Sequence, residues 1–583
     1  MFSRPVTTLL ACVLVCTACG QAAPVHYDTI LRGGTVYDGN GDAPFVGDIA
    51  IMGDRLAAIG DLGTATADSE VDVTGLAVAP GFINMLSWAT NSLIEDGRSQ
   101  GDIRQGVTLE VFGEGTSYGP LNNAQKASNL NAWIADAGSE DAVRTRLGVA
   151  ADAPLEFPWT TLGEYLEFLE ARGVSSNVAS FVGATTVRVH QLGYEDRAPT
   201  DGELATMQEL VREAMREGAM GVGSSLIYAP AFYASTEELI ALNAAAAEYG
   251  GMYISHMRSE GNRLVEAVDE LLRIAREAGI DAEIYHLKAG GQENWPKMDE
   301  VIAKVEAARA EGLGITADMY TYTAGSTGLD AAMPPWVQEG GYRAWAERLQ
   351  DPAIRDRLRD EMTTPTNDWE NLMLAAGAEG TLMVGFQNET LRAQYTGKTL
   401  AAVAAERGTS VADTAMDLVV EDGTRVQVVY FLMSEENVEK QLALPWLSFG
   451  SDAASMATNE PFTLTSTHPR AYGNFARVLG HYVRDRGVVS LQEAVRKLAA
   501  LPADNLGIAE RGRLVAGHYA DIAIFDAATV ADHATYEDPH QYATGMVHVF
   551  VNGSHVLRDG EHTGALPGRV VRGPGWNGEL ARN

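Results

Sequence analysis

The sequence predicts a (β/α)8 barrel with a small β-sandwich domain formed from both termini and an insertion lobe after strand seven. Three observations predict it. Apolar, strand-like runs alternate with helical, charge-bearing runs through the middle of the chain, the pattern of repeated strand–helix units around a parallel sheet. Short strands joined by glycine turns occupy both ends. Two successive strand candidates, Met252-Tyr-Ile-Ser-His256 and Glu283-Ile-Tyr-His286, each close on a histidine. A closed barrel brings such strand ends to one mouth.

The 583 residues exceed the roughly 250 of a plain barrel, leaving room for an appended domain and a lobe. The 46% apolar content supports a large core. A net charge of −35 argues against a nucleic-acid partner, which needs a basic footprint, and for solubility. The three cysteines, Cys12, Cys16 and Cys19, all lie in the first nineteen residues. There a single Arg4 precedes an apolar run from Val6 to Cys16 and then Thr17-Ala18. This is the three-part form of an export signal, too short to span a bilayer. Followed by Cys19-Gly-Gln-Ala-Ala-Pro24, it resembles a bacterial lipoprotein signal. The resemblance implies removal of residues 1–18, Cys19 as a lipid-anchored first residue, and an exported, periplasmic, membrane-anchored protein. The alternative is a plain signal peptide cut near Ala23, since Cys16 stands where lipoprotein signals usually carry Leu. Either way the mature chain has no internal disulfide and depends on packing.

After the leader, the stretches 27–38, 48–60 and 71–79 read as strands, and the style returns at 512–526 and 546–558, with Asn552-Gly553 as a hairpin turn. These give a β domain of residues 25–79 plus 506–583. The barrel takes 80–324 plus 445–505, with strand candidates at 78–86, 106–113, 178–182, 220–226, 252–256, 282–286, 314–320 and 446–450. Helical stretches lie between most of them, such as 201–217 and 298–311, and Ser235-Thr-Glu-Glu238 has capping-box spacing that fixes one helix start. No GxxxxGK[ST] loop occurs, and Gly221-x-Gly223 lacks the third glycine of a dinucleotide fingerprint, so nucleotide binding is not expected. Residues 325–444 form an insertion at the barrel mouth, where segments of this length usually cover or shape a site.

Neutral imidazole is the commonest metal ligand, so His256 and His286 on successive strand ends suggest a metal site. Either one alone is more often a structural histidine; two at equivalent positions of successive strand–helix units make the metal and structural readings equal. Asp452, in Gly450-Ser-Asp452, follows the eighth strand and reaches the same mouth. It is a candidate general base for a metal-activated water, or the cap of the next helix. Glu114, in Phe112-Gly-Glu114-Gly115, follows the second strand. Zinc accepts two histidines and one carboxylate while keeping a position for water, so Glu114 is a candidate third ligand; it also reads as a turn carboxylate.

Arg32-Gly-Gly-Thr-Val-Tyr-Asp38, Val78-Ala-Pro-Gly-Phe-Ile83, Gly106-Val-Thr108, His256-Met-Arg-Ser-Glu260, His286-Leu-Lys288, Asp318-Met-Tyr-Thr-Tyr322, Gly450-Ser-Asp452 and His468-Pro-Arg470 occur in this order. Together they resemble the amidohydrolase superfamily, in particular its D-aminoacylase (N-acyl-D-amino-acid deacylase) branch, over roughly residues 27 to 560. The resemblance implies a metal-dependent barrel that hydrolyses the amide of N-acyl-D-amino acids. It implies His256 and His286 as ligands of the tightly held metal and Asp452 as the catalytic aspartate. Tyr228, Lys288, Arg470 and Ser326 match positions that grip the substrate carboxylate, a task suited to a guanidinium and an ammonium. Two departures bear on the metal. The family usually carries His-x-His after strand one, where this chain reads Asn84-Met-Leu86-Ser-Trp88, and the branch's cysteine ligand on strand two is absent. The expectation is therefore one Zn2+ per chain on His256, His286 and Glu114, with a small N-acyl amino acid or peptide as substrate. A cyclic-amide hydrolase or dipeptidase of the same superfamily is the alternative among enzymes. The alternative outside them is a non-catalytic binding protein, with Leu86 and Trp88 where ligands would sit.

Overall fold

The computed structural model describes residues 25–578. The expected leader and Cys19 lie outside the described residues. Eight parallel staves close the barrel: Phe82–Asn84, Val107–Phe112, Asn177–Ser180 with Val182–Gly183, Gly221–Ser225, Met252–His256, Ala282–Ile284, Ile315–Met319 and Leu447–Phe449. The third stave changes partner at Phe181, its first half pairing with the second stave and its last two residues with the fourth. The seam between last and first staves is closed by Met85 N–H donating to the Phe449 carbonyl at 3.1 Å and by a parallel bridge of Ser87 with Ala453.

Alternation along each stave separates the barrel's interior from its helix-facing layer. Ile83, Leu109, Val111, Phe181, Ile254 and Tyr285 pack together in the interior, while Phe112, Val222, Tyr253 and Ile284 join the layer under the helices. Helix Leu264–Ala278 shows why that layer forms. It buries Leu264, Ala267, Val268, Leu271, Leu272, Ile274 and Ala275, an apolar stripe at the helical period. Where two staves approach closely only glycine fits, since a Cβ on Gly223 would lie 2.0 Å from the Gly113 carbonyl oxygen.

The expected strand at 78–86 is in fact two. Ala77–Pro80 pairs antiparallel with Ile522–Phe525 in the terminal domain, and Phe82–Asn84 opens the barrel. The chain changes domain at Gly81, which abuts Thr108 too closely for any side chain. The strand expected at 71–79 likewise resolves into Thr66–Asp72 and Ala77–Pro80. The terminal domain is a nine-stranded sheet combining strands from 26–80 with strands from 522–562. Helix Thr236–Ala247 starts at Ser235 as its spacing predicts, with the Ser235 side chain accepting from Glu238 N–H. The Glu238 carboxylate does not return to the cap; it meets the buried guanidinium of Arg188 at 2.6 Å instead. The insertion has its own three-stranded sheet (Ala324–Gly328, Gln427–Phe431, Thr381–Gly385) and its own apolar core around Trp345, Leu358, Met383, Met416 and Val428.

Candidate metal centre and substrate cavity

His256 is the last residue of the fifth stave, and His286 lies two residues beyond the sixth. Glu114 lies two beyond the second stave, and Asp452 follows the eighth. All four line one cavity of about 540 Å3, together with Trp88, Tyr228, Lys288, Ser326 and Arg470. Each residue selected from the sequence thus reaches the same space. His190 is not among the cavity's lining residues; it sits on helix Ala184–Leu192 with Nδ1 at 2.8 Å from Gln191 Nε2.

Glu114 Oε1, His256 Nδ1 and His286 Nε2 form a nearly equilateral triangle with sides of 3.1, 3.1 and 3.0 Å. Metal–ligand bonds of about 2.0–2.1 Å in tetrahedral geometry separate neighbouring ligand atoms by roughly 3.3 Å. The triangle therefore suits an ion bound to all three, and these atoms form the one such cluster of His, Cys, Asp and Glu found among the described residues. The electrostatics agree. Although burial and the Lys288 ammonium pull it down, His286 is pushed up to about 10 by the Glu260 and Glu114 carboxylates. Glu114, despite burial, is held well below the carboxylate range by His286 and His256. This corner draws positive charge to itself, which a divalent ion satisfies without protonating its ligands.

Glu260, quoted in the motif but given no role from it, braces the corner. Its Oε1 lies 3.0 Å from His286 Nδ1 and accepts from Lys288 Nζ at 2.6 Å. Lys288 Nζ lies 2.7 Å from the same Nδ1, so carboxylate and ammonium together hold the ring whose Nε2 faces the ligand triangle. The lobe reaches this layer too, with Glu370 Oε2 accepting from the backbone N–H of Glu260 at 2.6 Å. Lys288 is 5% exposed and its charge is already engaged by Glu260, so its part at the cavity wall is shared with bracing the histidine.

Asp452 and His286 both have positive φ, 49° and 34°. Such conformations cost side-chain-bearing residues about 1–3 kcal/mol and persist where the surroundings impose them. For Asp452 the imposing contact is its N–H on the Leu86 carbonyl at 2.8 Å; for His286 it is its N–H on Asp318 Oδ1 at 2.9 Å. Burial raises the Asp452 carboxyl above its ordinary value, while Arg470, 2.8 Å away, pulls it back. Arg470 also donates to the Ser326 carbonyl at 3.3 Å, and its buried Nε makes no hydrogen bond. His468 fixes this arginine: its Nδ1 accepts from Arg470 N–H at 3.0 Å and its Nε2–H donates to the Ala324 carbonyl at 2.9 Å. Ser326 Oγ donates to the Val428 carbonyl at 2.9 Å, and Tyr228 OH to Thr327 Oγ1 at 2.9 Å. Opposite the metal corner, the lobe contributes Arg425, paired with Asp330 at 3.0 Å. No sequence signal singled out Arg425 or Asp330, because neither ends a stave.

An eight-stave barrel with a mixed histidine–carboxylate corner and an aspartate on the last stave defines a metal-dependent hydrolase scaffold, and the chain belongs to the amidohydrolase family, whose model matches residues 120–557. It is similar to a D-aminoacylase of Alcaligenes xylosoxydans xylosoxydans, with 35% identity covering 94% of this chain and 99% of the relative. Among solved structures it is similar to a D-aminoacylase described for the functional role of its binuclear metal centre, with one-metal activation and second-metal attenuation. That match has a TM-score of 0.76 and 34% identity, and covers 94% of this chain and 100% of the other. It is also similar to N-acyl-D-glutamate deacylase from Bordetella bronchiseptica, complexed with zinc and a phosphonate mimic of the reaction's tetrahedral intermediate. Here the TM-score is 0.74 and the identity 28%, over 94% and 100% of the two chains.

Proposed function

We infer that this protein hydrolyses the linear amide of N-acyl-D-amino acids, using one zinc ion per chain. The observation that carries the reading is the placement of the Glu114–His256–His286 triangle, Asp452 and the Asp452-paired Arg470 in one cavity. A divalent ion held by the three ligands would supply Lewis acidity and lower the pKa of water toward about 7. Asp452 takes the proton released as water oxygen adds to the acyl carbon. It then delivers that proton to the amine nitrogen as the C–N bond breaks, giving a carboxylic acid and a free amino acid. The upward shift of its carboxyl suits both halves of that transfer. Arg470, held by His468, presents its unpartnered Nε to the substrate carboxylate, with Tyr228, Ser326 and Lys288 around it.

Charge balance in the cavity supports a substrate with a single carboxylate. Lys288, Arg425 and Arg470 are each paired with a carboxylate: Glu260, Asp330 and Asp452. Glu114 with a divalent ion leaves one net positive charge, matched by one substrate carboxylate. The D configuration follows the named activities of the relatives. The lipoprotein-like leader supports an exported, membrane-anchored protein; labelling with a fatty-acid analogue that is lost in Cys19→Ser checks this. For the activity, purified zinc-loaded protein is offered N-acetyl-D- and L-amino acids, hydantoins and dipeptides. Release of free amino acid from the D-compounds, abolished by a chelator and restored by zinc, is expected. Hydrolysis confined to hydantoins or dipeptides, or absent from all four classes, sinks the reading.

A further inference from the structure

Trp88 stands at the seam of the barrel with its backbone N–H on the Ala453 carbonyl at 2.9 Å, directly beside Asp452. Its ring lies in the cavity and is 38% exposed, although the chain around it is buried. Its indole N–H faces two carboxylates at once: Glu114 Oε2 at 3.0 Å and Asp452 Oδ1 at 3.1 Å. These are the oxygens not otherwise engaged, since Glu114 Oε1 belongs to the ligand triangle and Asp452 Oδ2 to Arg470. Two carboxylate oxygens converging on one point are the usual setting for a bridging cation. Here the point is taken by a neutral group that can only donate. Leu86, two residues earlier on the same segment, is fully buried in the barrel interior and offers no ligand atom.

We propose that Trp88 is a positioning residue whose indole N–H replaces a second bridging cation, limiting the centre to one metal per chain. By occupying Glu114 Oε2 it leaves Oε1 alone to the ligand triangle, and by holding Asp452 Oδ1 it fixes the carboxyl beside the reacting atoms. The D-aminoacylase relative with a binuclear centre and second-metal attenuation is the contrasting case; this chain carries the block on the segment that follows its own first stave. The proposal rests on the metal-hydrolase reading, but its test does not depend on turnover.

The experiment is metal counting by elemental analysis after equilibration of the full chain with one and with twenty equivalents of zinc, paired with kcat, KM and the pH profile of kcat. Wild type is expected to hold one zinc per chain under both conditions and to be insensitive to the excess. Trp88→Phe, which keeps a ring but loses the N–H, is expected to take up a second zinc in excess. It is also expected to lose 10- to 100-fold in kcat, with a displaced acid limb and little change in KM. Trp88→Leu gives the same readout should phenylalanine disturb packing. Two zincs on wild type, or variants that stay at one, overturn the proposal. A wild type that holds one zinc yet hydrolyses no amide sinks the functional reading instead, while the stoichiometry still decides this one.

Discussion

Lys288 Nζ donates to Glu260 Oε1 at 2.6 Å, and that same oxygen faces His286 Nδ1 at 3.0 Å. One carboxylate therefore both neutralises a buried ammonium and orients a metal ligand. Glu260→Gln is expected to weaken zinc binding by about 10–100-fold, the usual cost of losing an outer carboxylate. It also leaves Lys288 without a counter-charge, so the metal-free protein should melt at a lower temperature. Competition with a chelator and thermal denaturation check the two parts separately. Unchanged zinc affinity would remove Glu260 from the bracing role.

Asp452 touches no atom of the ligand triangle other than through Trp88. Asp452→Asn should therefore keep its zinc while kcat falls by about 10²–10⁴, the range for removing a general acid–base. Metal analysis and steady-state kinetics on the same preparation test this, and near-normal turnover would reject the residue as proton carrier.

Burial and the Arg470 charge keep the pKa of His468 well below its ordinary value, outweighing the Ala324 carbonyl, which favours the charged ring. The unfolded chain takes up the proton near pH 6.5, whereas the folded chain does so only at lower pH. Below about 6.5 the unfolded state thus binds more protons, so stability falls with acidification, by at most about 1.4 kcal/mol per pH unit from this group. His468→Gln, which can donate and accept at both positions, should flatten that part of the slope. Urea unfolding of both proteins between pH 8 and 5 measures the difference, and parallel slopes would contradict it.

Asp330 neutralises Arg425 on the lobe side of the cavity. Asp330→Asn frees that guanidinium and should shift preference toward acidic side chains. The ratio of kcat/KM for an N-acetyl-D-glutamate over an N-acetyl-D-leucine substrate is expected to rise by about tenfold, the size of one partly exposed charge–charge contact. An unchanged ratio would mean the substrate side chain does not approach Arg425.

Much of the centre was legible in the sequence because a barrel gathers the residues at the C-terminal ends of its strands around one mouth. His256, His286, Glu114 and Asp452 each sit on or within a few residues of a stave end, so reading strands also located the site. Partners that arrive from elsewhere carry no such signal. Arg425 comes from the loop leading into a strand of the lobe, and its pairing with Asp330 spans 95 residues of sequence between positions 330 and 425. The split of the 78–86 stretch between two sheets was hidden for a related reason. Its apolar run is continuous, and only the opposing Thr108 and the antiparallel partner 522–525 show where one domain stops. Trp88 was visible as a departure from the family's His-x-His, yet its indole bond to both carboxylates needed the closed seam to be seen.

The lobe owns a separate apolar core, while the candidate metal ligands Glu114, His256 and His286 all hang from the barrel. Selection can therefore redraw the wall that meets the substrate's variable portion with little effect on hydrolysis, provided Glu370 and Ser326, which touch Glu260 and Arg470, are kept. Mutations that reshape residues 325–444 risk the lobe's own packing, but they leave the barrel's closure intact. A lineage carrying this architecture is free to trade one acyl amino acid for another while its reaction stays the same.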